Sequence, residues 1–506
     1  MYENENRRFA AQIQVPADVF SVPVVALELP LHGRRKVHAP EAFLLAANLL
    51  CRIFQRLHLV APDALLGPNP WGIKRLSEIA PILARISDGE VVWGAPREVD
   101  IVLGIGAAPS LSAKRQSWIS FSGWNAALDC DLAGNGDGLF GALFAACYGA
   151  SQVFAHAAAM LGAPYAPIRP FQLSLLDYSN SVSEQQSPNR VDIGDTHLVG
   201  VGAVGSAMVY SLAHLPEVRG RLVAIDSDHV DDTNLQRYIL MRHEDIGAAK
   251  VSVAAGVFRG TDLEVVPRLM AFADYQKDHP HIGMLVTPLD SEEGRRRVAG
   301  TLPKRVLNAA TAHTKVTISR HGFGDGKACL HCLYLERPEQ LSMEQRLARE
   351  LGLAVQEVKD HLGDNQPVSQ ALAERIARHR GLRMEDVQPL VGGHLQSFYQ
   401  RAVCGQASIQ TVAGTVVSPL SFISAAAGIL LAAELVKTST PALEQFELNN
   451  YFRFDTIAMP NPDFRLVRPQ DQTRSCICWD ADYLGVYSRK YMSLETQGTR
   501  RLAANG

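Results

Sequence analysis

The stretch from His197 to Lys250 constrains this chain most. An apolar run ends in Gly200-Val201-Gly202-Ala203-Val204-Gly205, a helical segment follows, and a second apolar run, Leu222 to Ile225, stops at Asp226. That pattern predicts a β-α-β unit with a GxGxxG turn and an acidic residue about twenty positions further on. Glycine suits the turn because it needs unusual dihedrals and because the backbone there must approach a phosphate at the positive end of a helix. By itself the unit predicts only a nucleotide site, and an NAD-binding domain would satisfy it equally well.

The residues that follow narrow the choice. Asp226-Ser227-Asp228 leads to Asn234-Leu235-Gln236-Arg237-Tyr238 and then to Gly247-Ala248-Ala249-Lys250, which strings polar and cationic groups just past the carboxyl edge of a sheet, where such folds bind ligands. GxGxxG, D-x-D, N-L-x-R and G-x-x-K in this order closely resemble the adenylation domain of the ThiF/MoeB and ubiquitin-activating enzyme superfamily. Within it the chain most resembles the activating enzymes of bacterial ubiquitin-like conjugation (Bil-type) operons linked to antiphage defence. The resemblance implies that Gly200, Gly202, Gly205, Asp226, Asp228, Asn234, Arg237 and Lys250 bind ATP, with Asp226 on the ribose and Asn234, Arg237 and Lys250 on the phosphates. It also implies that Asp290, after the strand-like run 283–289, holds Mg2+. A cation clamp with a carboxylate-bound metal is what attack on an α-phosphate by a weak carboxylate nucleophile requires.

With 506 residues, two or more domains are expected. The net charge of -3 comes without a basic block, which argues against nucleic acid as a partner. The start, MYENENRRFAAQ, has no apolar core of a signal peptide. Two long apolar stretches, 139–161 and 419–436, contain Gln152, His156 and Glu434 and are rich in Ala and Gly, so they read as buried helices, not membrane spans. A cytoplasmic protein is expected.

Residues 1–170 repeat the order of the later half in a degenerate form. Val22–Leu29 reads as a strand, Glu41–Leu57 as a helix, and further strands are expected at Leu57–Ala61, Glu90–Trp93, Val99–Gly106 and Ser117–Trp124, with a helix from Leu139 matching one from Leu420. The first strand leads into Pro30-Leu31-His32-Gly33-Arg34-Arg35-Lys36, whose side chains would crowd a phosphate. The expected fold is therefore α/β, with two Rossmann-like adenylation-type domains, the first inactive, and a helical insertion. The expected boundaries are 1–170 for the inactive domain, 171–190 for a polar linker, 191–328 and 408–465 for the active domain, 329–407 for a crossover region with a catalytic-cysteine insertion, and 466–506 for a tail.

Eight cysteines without an export signal argue for metal or catalysis. Cys329 and Cys332 form one close pair, and Cys476 and Cys478 form a second far downstream; together they suit a structural Zn2+ that pins the tail, four core thiols being the plainer alternative. The superfamily often carries two CxxC pairs here, so the second spacing is a departure. Cys51, Cys130 and Cys147 lie among apolar residues and read as core. Cys404, in Arg401-Ala402-Val403-Cys404-Gly405-Gln406, lies where the family carries its thioester cysteine; a structural thiol is the alternative.

The resemblance implies ATP-dependent activation of a ubiquitin-like protein, with an acyl-adenylate, a thioester on Cys404, and transfer to a conjugating enzyme. Catalysis would rest on Cys404, Arg237, Lys250 and Asp290. The alternative is an adenylating enzyme for a sulfur-carrier protein or peptide without a thioester step. Neither nucleic acid nor membrane is an expected partner, and a homodimer is left open.

Overall fold

The computed structural model describes residues 21–491 apart from 88, 164–165, 189, 313, 336–342, 364–365, 383, 400–419 and 447–449. The chain forms two compact units, a large one containing 18–335 and 419–506 and a small one containing 336–418.

The large unit is built from two sheets of one topology. The first contains β1 (Val25–Glu28), β2 (Arg56–Val60), β3 (Glu90–Trp93), β4 (Ile101–Ile105), β5 (Arg115–Ser122), β6 (Asn125–Leu128) and β7 (Phe171–Ser174), in the order β3-β2-β1-β4-β5-β6-β7. The second contains β8 (Arg190–Val199), β9 (Glu217–Asp226), β10 (Leu263–Leu269), β11 (Met284–Thr287), β12 (Arg305–Ala312), β13 (Lys315–His321), β14 (Tyr451–Asp455) and β15 (Arg465–Leu466), in the order β10-β9-β8-β11-β12-β13-β14-β15. In both sheets the pairings from the first edge through β5 or β12 are parallel and the remainder antiparallel. The two α/β halves expected from the repeated strand order are thus present.

Helices cover the sheets. In the first half α1 (Ala39–Cys51) joins β1 to β2, α2 (Ile79–Ile86) joins β2 to β3, and α3 (Leu139–Met160) joins β6 to β7. In the second, α4 (Ala203–Leu212), α5 (Lys250–Val257), α6 (Phe272–Asp278) and α7 (Glu292–Gly300) follow β8, β9, β10 and β11. A one-turn helix, α8 (Leu330–Leu333), follows β13. Central strands covered on both faces need no alternation, and β4, Ile-Val-Leu-Gly-Ile, is buried at every position.

The small unit holds α9 (Met343–Leu351), α10 (Val355–Gly363), α11 (Gln370–Arg380), α12 (Met384–Val387) and α13 (Leu395–Phe398). Their apolar faces supply Leu347, Leu351, Val358, Leu372, Ile376 and Phe398 to one core, while Asp360 and Glu374 face solvent. A Ser369 cap accepts a hydrogen bond from the Leu372 amide at 3.2 Å to start α11, and Gly381, at φ 65°, ends it.

Back in the large unit, α14 (Ser421–Thr438) joins β13 to β14. Both long apolar helices, α3 and α14, are buried along nearly their whole length, as core helices would be. Gly428 lets α14 lie close on α4, since a Cβ there would lie 2.5 Å from that of Ala207 and 2.6 Å from the Val204 carbonyl oxygen. The halves are tied by a fully buried pair, Glu434 with Lys437: the Tyr178 hydroxyl donates to Glu434, and Lys437 donates to the Leu175 and Leu176 carbonyls. Each charge is therefore compensated, which burial demands.

Two sequence expectations are corrected, for the linker and for the helix before β2. The polar linker over 171–190 loses its first part to β7, where Leu173 is buried, followed by buried Leu175, Leu176 and Tyr178; the serine-rich stretch that begins at Ser174 and continues beyond Tyr178 masks these apolar positions. Strand β8 begins at Arg190, ahead of the apolar run, because Asp192 and Asp195 pair across to Arg219 at 2.9 Å and Arg221 at 3.0 Å on β9. The helix expected to reach Leu57 stops at Cys51, since β2 starts at Arg56. In the first half, Glu28 at the end of β1 accepts hydrogen bonds from the Ser110 and Leu111 amides at 2.9 and 3.0 Å, so this sheet edge is filled by its own chain.

Candidate functional site

The turn between β8 and α4 gives its three glycines separate tasks. Gly200 has φ 100°, a conformation that favours glycine. A Cβ on Gly205 would lie 2.1 Å from the Gly200 carbonyl oxygen, so only glycine lets the helix start this close to the strand. At Gly202 the nearest neighbour of a Cβ would be the Tyr238 hydroxyl at 3.6 Å, which leaves that side open. The backbone is thus shaped to meet a ligand at the start of a ten-residue helix.

Four segments converge on the turn. Because β8 lies between β9 and β11, the chain leaves in opposite directions around it, the place where such sheets bind ligands. From β9, the Asp226 carboxylate accepts hydrogen bonds from the Val201 amide at 2.7 Å and the Asp228 amide at 2.9 Å. Burial raises its pKa, partly opposed by those amides and by Lys250. From the start of α5, the Lys250 ammonium meets Asp228 at 2.9 Å and lies 5.4 Å from the centre of the Tyr238 ring. Burial pulls its pKa down, but Tyr238, Asp228 and Asp226 outweigh burial, so it is net raised and the amine stays charged.

Between them runs the segment 231–242. Asn234 is buried, and its side-chain oxygen accepts from the Asp231 amide at 3.1 Å within a short capped turn. The Arg237 guanidinium lies 5.5 Å from the Tyr238 ring centre, so this ring contacts two cations and faces Gly202. On the other side, Pro288 and Leu289 pack against Gly200 and Gly205. Strand β11 ends at Thr287, and Asp290 stands exposed beyond it on the loop. The topology thus gathers the glycine turn, Asp226, Asp228, Asn234, Arg237, Lys250 and Asp290 at one sheet edge. The sequence assigned no role to Tyr238; its place beside Arg237 in the string Asn-Leu-Gln-Arg-Tyr is the only signal it carries there.

A second constellation closes the far end of the sheet. Cys329 precedes α8, Cys332 lies within it, Cys476 caps the short turn Ile477–Trp479 and Cys478 lies within that turn. Their sulfurs lie 3.7 Å (329 to 332), 3.5 Å (329 to 476) and 3.4 Å (332 to 478) apart, and all four lie within 4.8 Å of one another. Four thiolates at Zn–S distances of ~2.3 Å around one ion would stand roughly 3.8 Å apart, so the donor set fits zinc. The four thiols titrate together: hydrogen bonds from their neighbours pull Cys332 and Cys478 down, while the same contacts and burial push Cys329 and Cys476 up, so protons are shared within the cluster until a metal displaces them. The backbone supports the turn, because Asp471 accepts from the Ser475 and Cys476 amides at 2.8 and 3.1 Å.

The family model described as the ThiF family matches residues 189–478, more than half of the chain. The chain belongs to the ThiF family. It is 34% identical over 468 residues to the uncharacterized protein y4jF of Sinorhizobium fredii, an alignment spanning 88% of this chain and 87% of that protein. It is also similar to human ubiquitin-like modifier-activating enzyme 7, with 35% identity over 132 residues, 23% of this chain and 13% of that enzyme. Likeness to the NEDD8-activating enzyme E1 catalytic subunit of Dictyostelium discoideum is 33% over 113 residues, 22% of this chain and 25% of that subunit. The chain therefore spans nearly all of y4jF but a small part of either activating enzyme.

The matched ThiF segment includes the glycine turn, the clamp and all four clustered cysteines. Cys404 falls inside it but outside the described residues. Of the three thiols expected in the core, Cys51 and Cys147 are buried, whereas Cys130 is half-buried and donates to the Phe171 carbonyl at 3.1 Å, at the edge strand pair β6 and β7. Burial pushes the Cys51 thiol up to about 12 and Cys147 and Cys130 upward as well, so none of them is a ready nucleophile.

Proposed function

We propose that this ThiF-family chain is the ATP-dependent activating enzyme of a ubiquitin-like protein. The observation that carries the reading is the convergence of Arg237, Tyr238 and Lys250 over the open side of Gly202, with Asp226 anchored beside it. Such a site favours a nucleotide whose phosphates meet backbone amides and two cations.

In this reading Asp226 takes the ribose hydroxyls, and Asn234, Arg237 and Lys250 take the phosphates. Asp290 would hold magnesium, which supplies charge neutralisation at the phosphates. The partner's C-terminal carboxylate attacks the α-phosphorus, an O–P bond forms, and pyrophosphate leaves with the broken α–β linkage. Arg237 and Lys250 offset charge building on the oxygens in that step. The Cys404 thiolate then attacks the acyl carbonyl, AMP leaves, and the thioester passes to the cysteine of a conjugating enzyme. The raised pKa values of Cys51, Cys130 and Cys147 support a nucleophile elsewhere in the chain. Cys329, Cys332, Cys476 and Cys478 would hold a structural zinc that closes the fold and takes no part in the chemistry. Free thiols throughout the described residues fit a cytoplasmic setting.

Mixing the purified chain with ATP, magnesium and candidate ubiquitin-like proteins tests this reading. ATP–pyrophosphate exchange that depends on a partner, with an adduct removed by thiol reductant, supports it. Exchange without any such adduct would leave a sulfur-carrier or peptide adenylating enzyme.

A further inference from the structure

Among its described residues the first half has no glycine turn like that of residues 200–205, yet it reaches deep into the second. Arg52, just after α1, is 1% exposed. Its guanidinium donates to the Leu235 carbonyl, to the Met241 carbonyl at 3.0 Å and to the Asn48 side-chain oxygen at 2.9 Å. Asn48, wholly buried on α1, donates to the Ile239 carbonyl at 2.8 Å. Trp71 adds an indole N–H to the Leu240 carbonyl at 3.1 Å. Side chains of the first half thus hold the carbonyls of residues 235, 239, 240 and 241, which bracket Arg237 and Tyr238.

Burying a guanidinium is costly unless its donors are used in fixed geometry. If the halves needed only adhesion, apolar side chains would supply it without that cost. A forked cation on two carbonyls at either end of a short loop instead fixes the shape of the loop, and with it the direction of the side chains between. We infer that Arg52, assisted by Asn48 and Trp71, is a positioning residue that sets the Arg237–Tyr238 segment for ATP phosphates. The inference rests on the nucleotide reading of that segment. It gives the inactive half a role in the reaction beyond filling space.

Calorimetric titration of the full chain with ATP and magnesium, and separately with adenosine, tests it. Arg52→Met is expected to weaken ATP roughly tenfold, the size of a lost charge-assisted contact. Adenosine, which lacks phosphates, should bind Arg52→Met and wild type alike. Arg52→Lys, keeping a cation, should recover part of the loss, and Arg52→Met should add little in an Arg237→Ala background, because both act through one contact. Trp71→Phe removes a single N–H at a half-buried residue and should show a smaller loss of the same kind, which decides the matter if Arg52→Met does not fold. Wild-type ATP affinity in a folded Arg52→Met chain would overturn the inference, as would equal losses for ATP and adenosine or an undiminished effect in Arg237→Ala. A wild-type chain that binds no ATP would remove the proposed function itself, a different result from a wild type that binds while its variants do so unchanged.

Discussion

Gly202 and Gly205 belong to one motif but answer to different forces, and substitution separates them. Gly205→Ala places a methyl group 2.1 Å from the Gly200 oxygen, so the turn must open with or without ligand. It is expected to lower the melting temperature and to abolish ATP binding. Gly202→Ala meets nothing closer than 3.6 Å, so its melting temperature should match wild type while ATP binding weakens. Thermal melts with and without ATP check the pair. Asp290→Ala should reduce pyrophosphate exchange by ~10²-fold or more, because no carboxylate would then hold the metal that offsets charge at the phosphates. Asp226→Ala should act chiefly on the KM for ATP. The glycine turn and Asp226 were legible in the sequence because their spacing follows from one strand, one turn, one helix and the next strand, whereas Asn234, Arg237, Lys250 and Asp290 were singled out by the family resemblance. Tyr238 was not, since a ring that serves two cations leaves no period, and Arg52 was not, since its partners are carbonyls far along the chain.

At the scale of elements, the cysteine knuckles and the terminal helical residues 481–491 act together. Tyr487 donates to the Lys304 carbonyl at 3.1 Å, Lys490 to Thr301 at 2.7 Å and Tyr491 to Ile282 at 3.0 Å, so this segment lies against the end of α7 and the approach to β12. Metal at the four cysteines would fasten its near end. Elemental analysis should find one zinc per chain, and Cys332→Ser should lose it. The same variant is expected to show earlier proteolytic cleavage between Cys476 and the terminus while retaining the body of the chain. Zinc-free wild type of unchanged stability would exclude the metal. The pairs were legible because close thiols stand out in a chain with eight cysteines. Strand β7 was not, because its register depends on β6, to which nothing local in the serine-rich sequence points.

Across the whole molecule, the two halves share a strand order, and both carry buried titratable groups. Burial first of all depresses the pKa values of His156 in the first half and His214 in the second to about 4, below the usual 6.5. Between these values the unfolded chain binds more protons than the folded one, so stability falls as pH drops from about 6.5 toward about 4. Chemical denaturation across that range should show the decline, and replacing His156 by Gln should flatten it. The two-half architecture was legible because an apolar strand repeat survives the loss of a binding motif. The contacts that make the halves one body were not, because they join residues that no period relates.

The most direct measurement is ATP–pyrophosphate exchange with a ubiquitin-like protein, followed by gel analysis with and without thiol reductant, for wild type and Cys404→Ala. Exchange should be equal in the two, since adenylation needs no thiol, and the reductant-sensitive adduct should appear in wild type alone. Exchange that persists when the partner's C-terminal carboxylate is amidated, or an adduct that persists in Cys404→Ala, would contradict this mechanism.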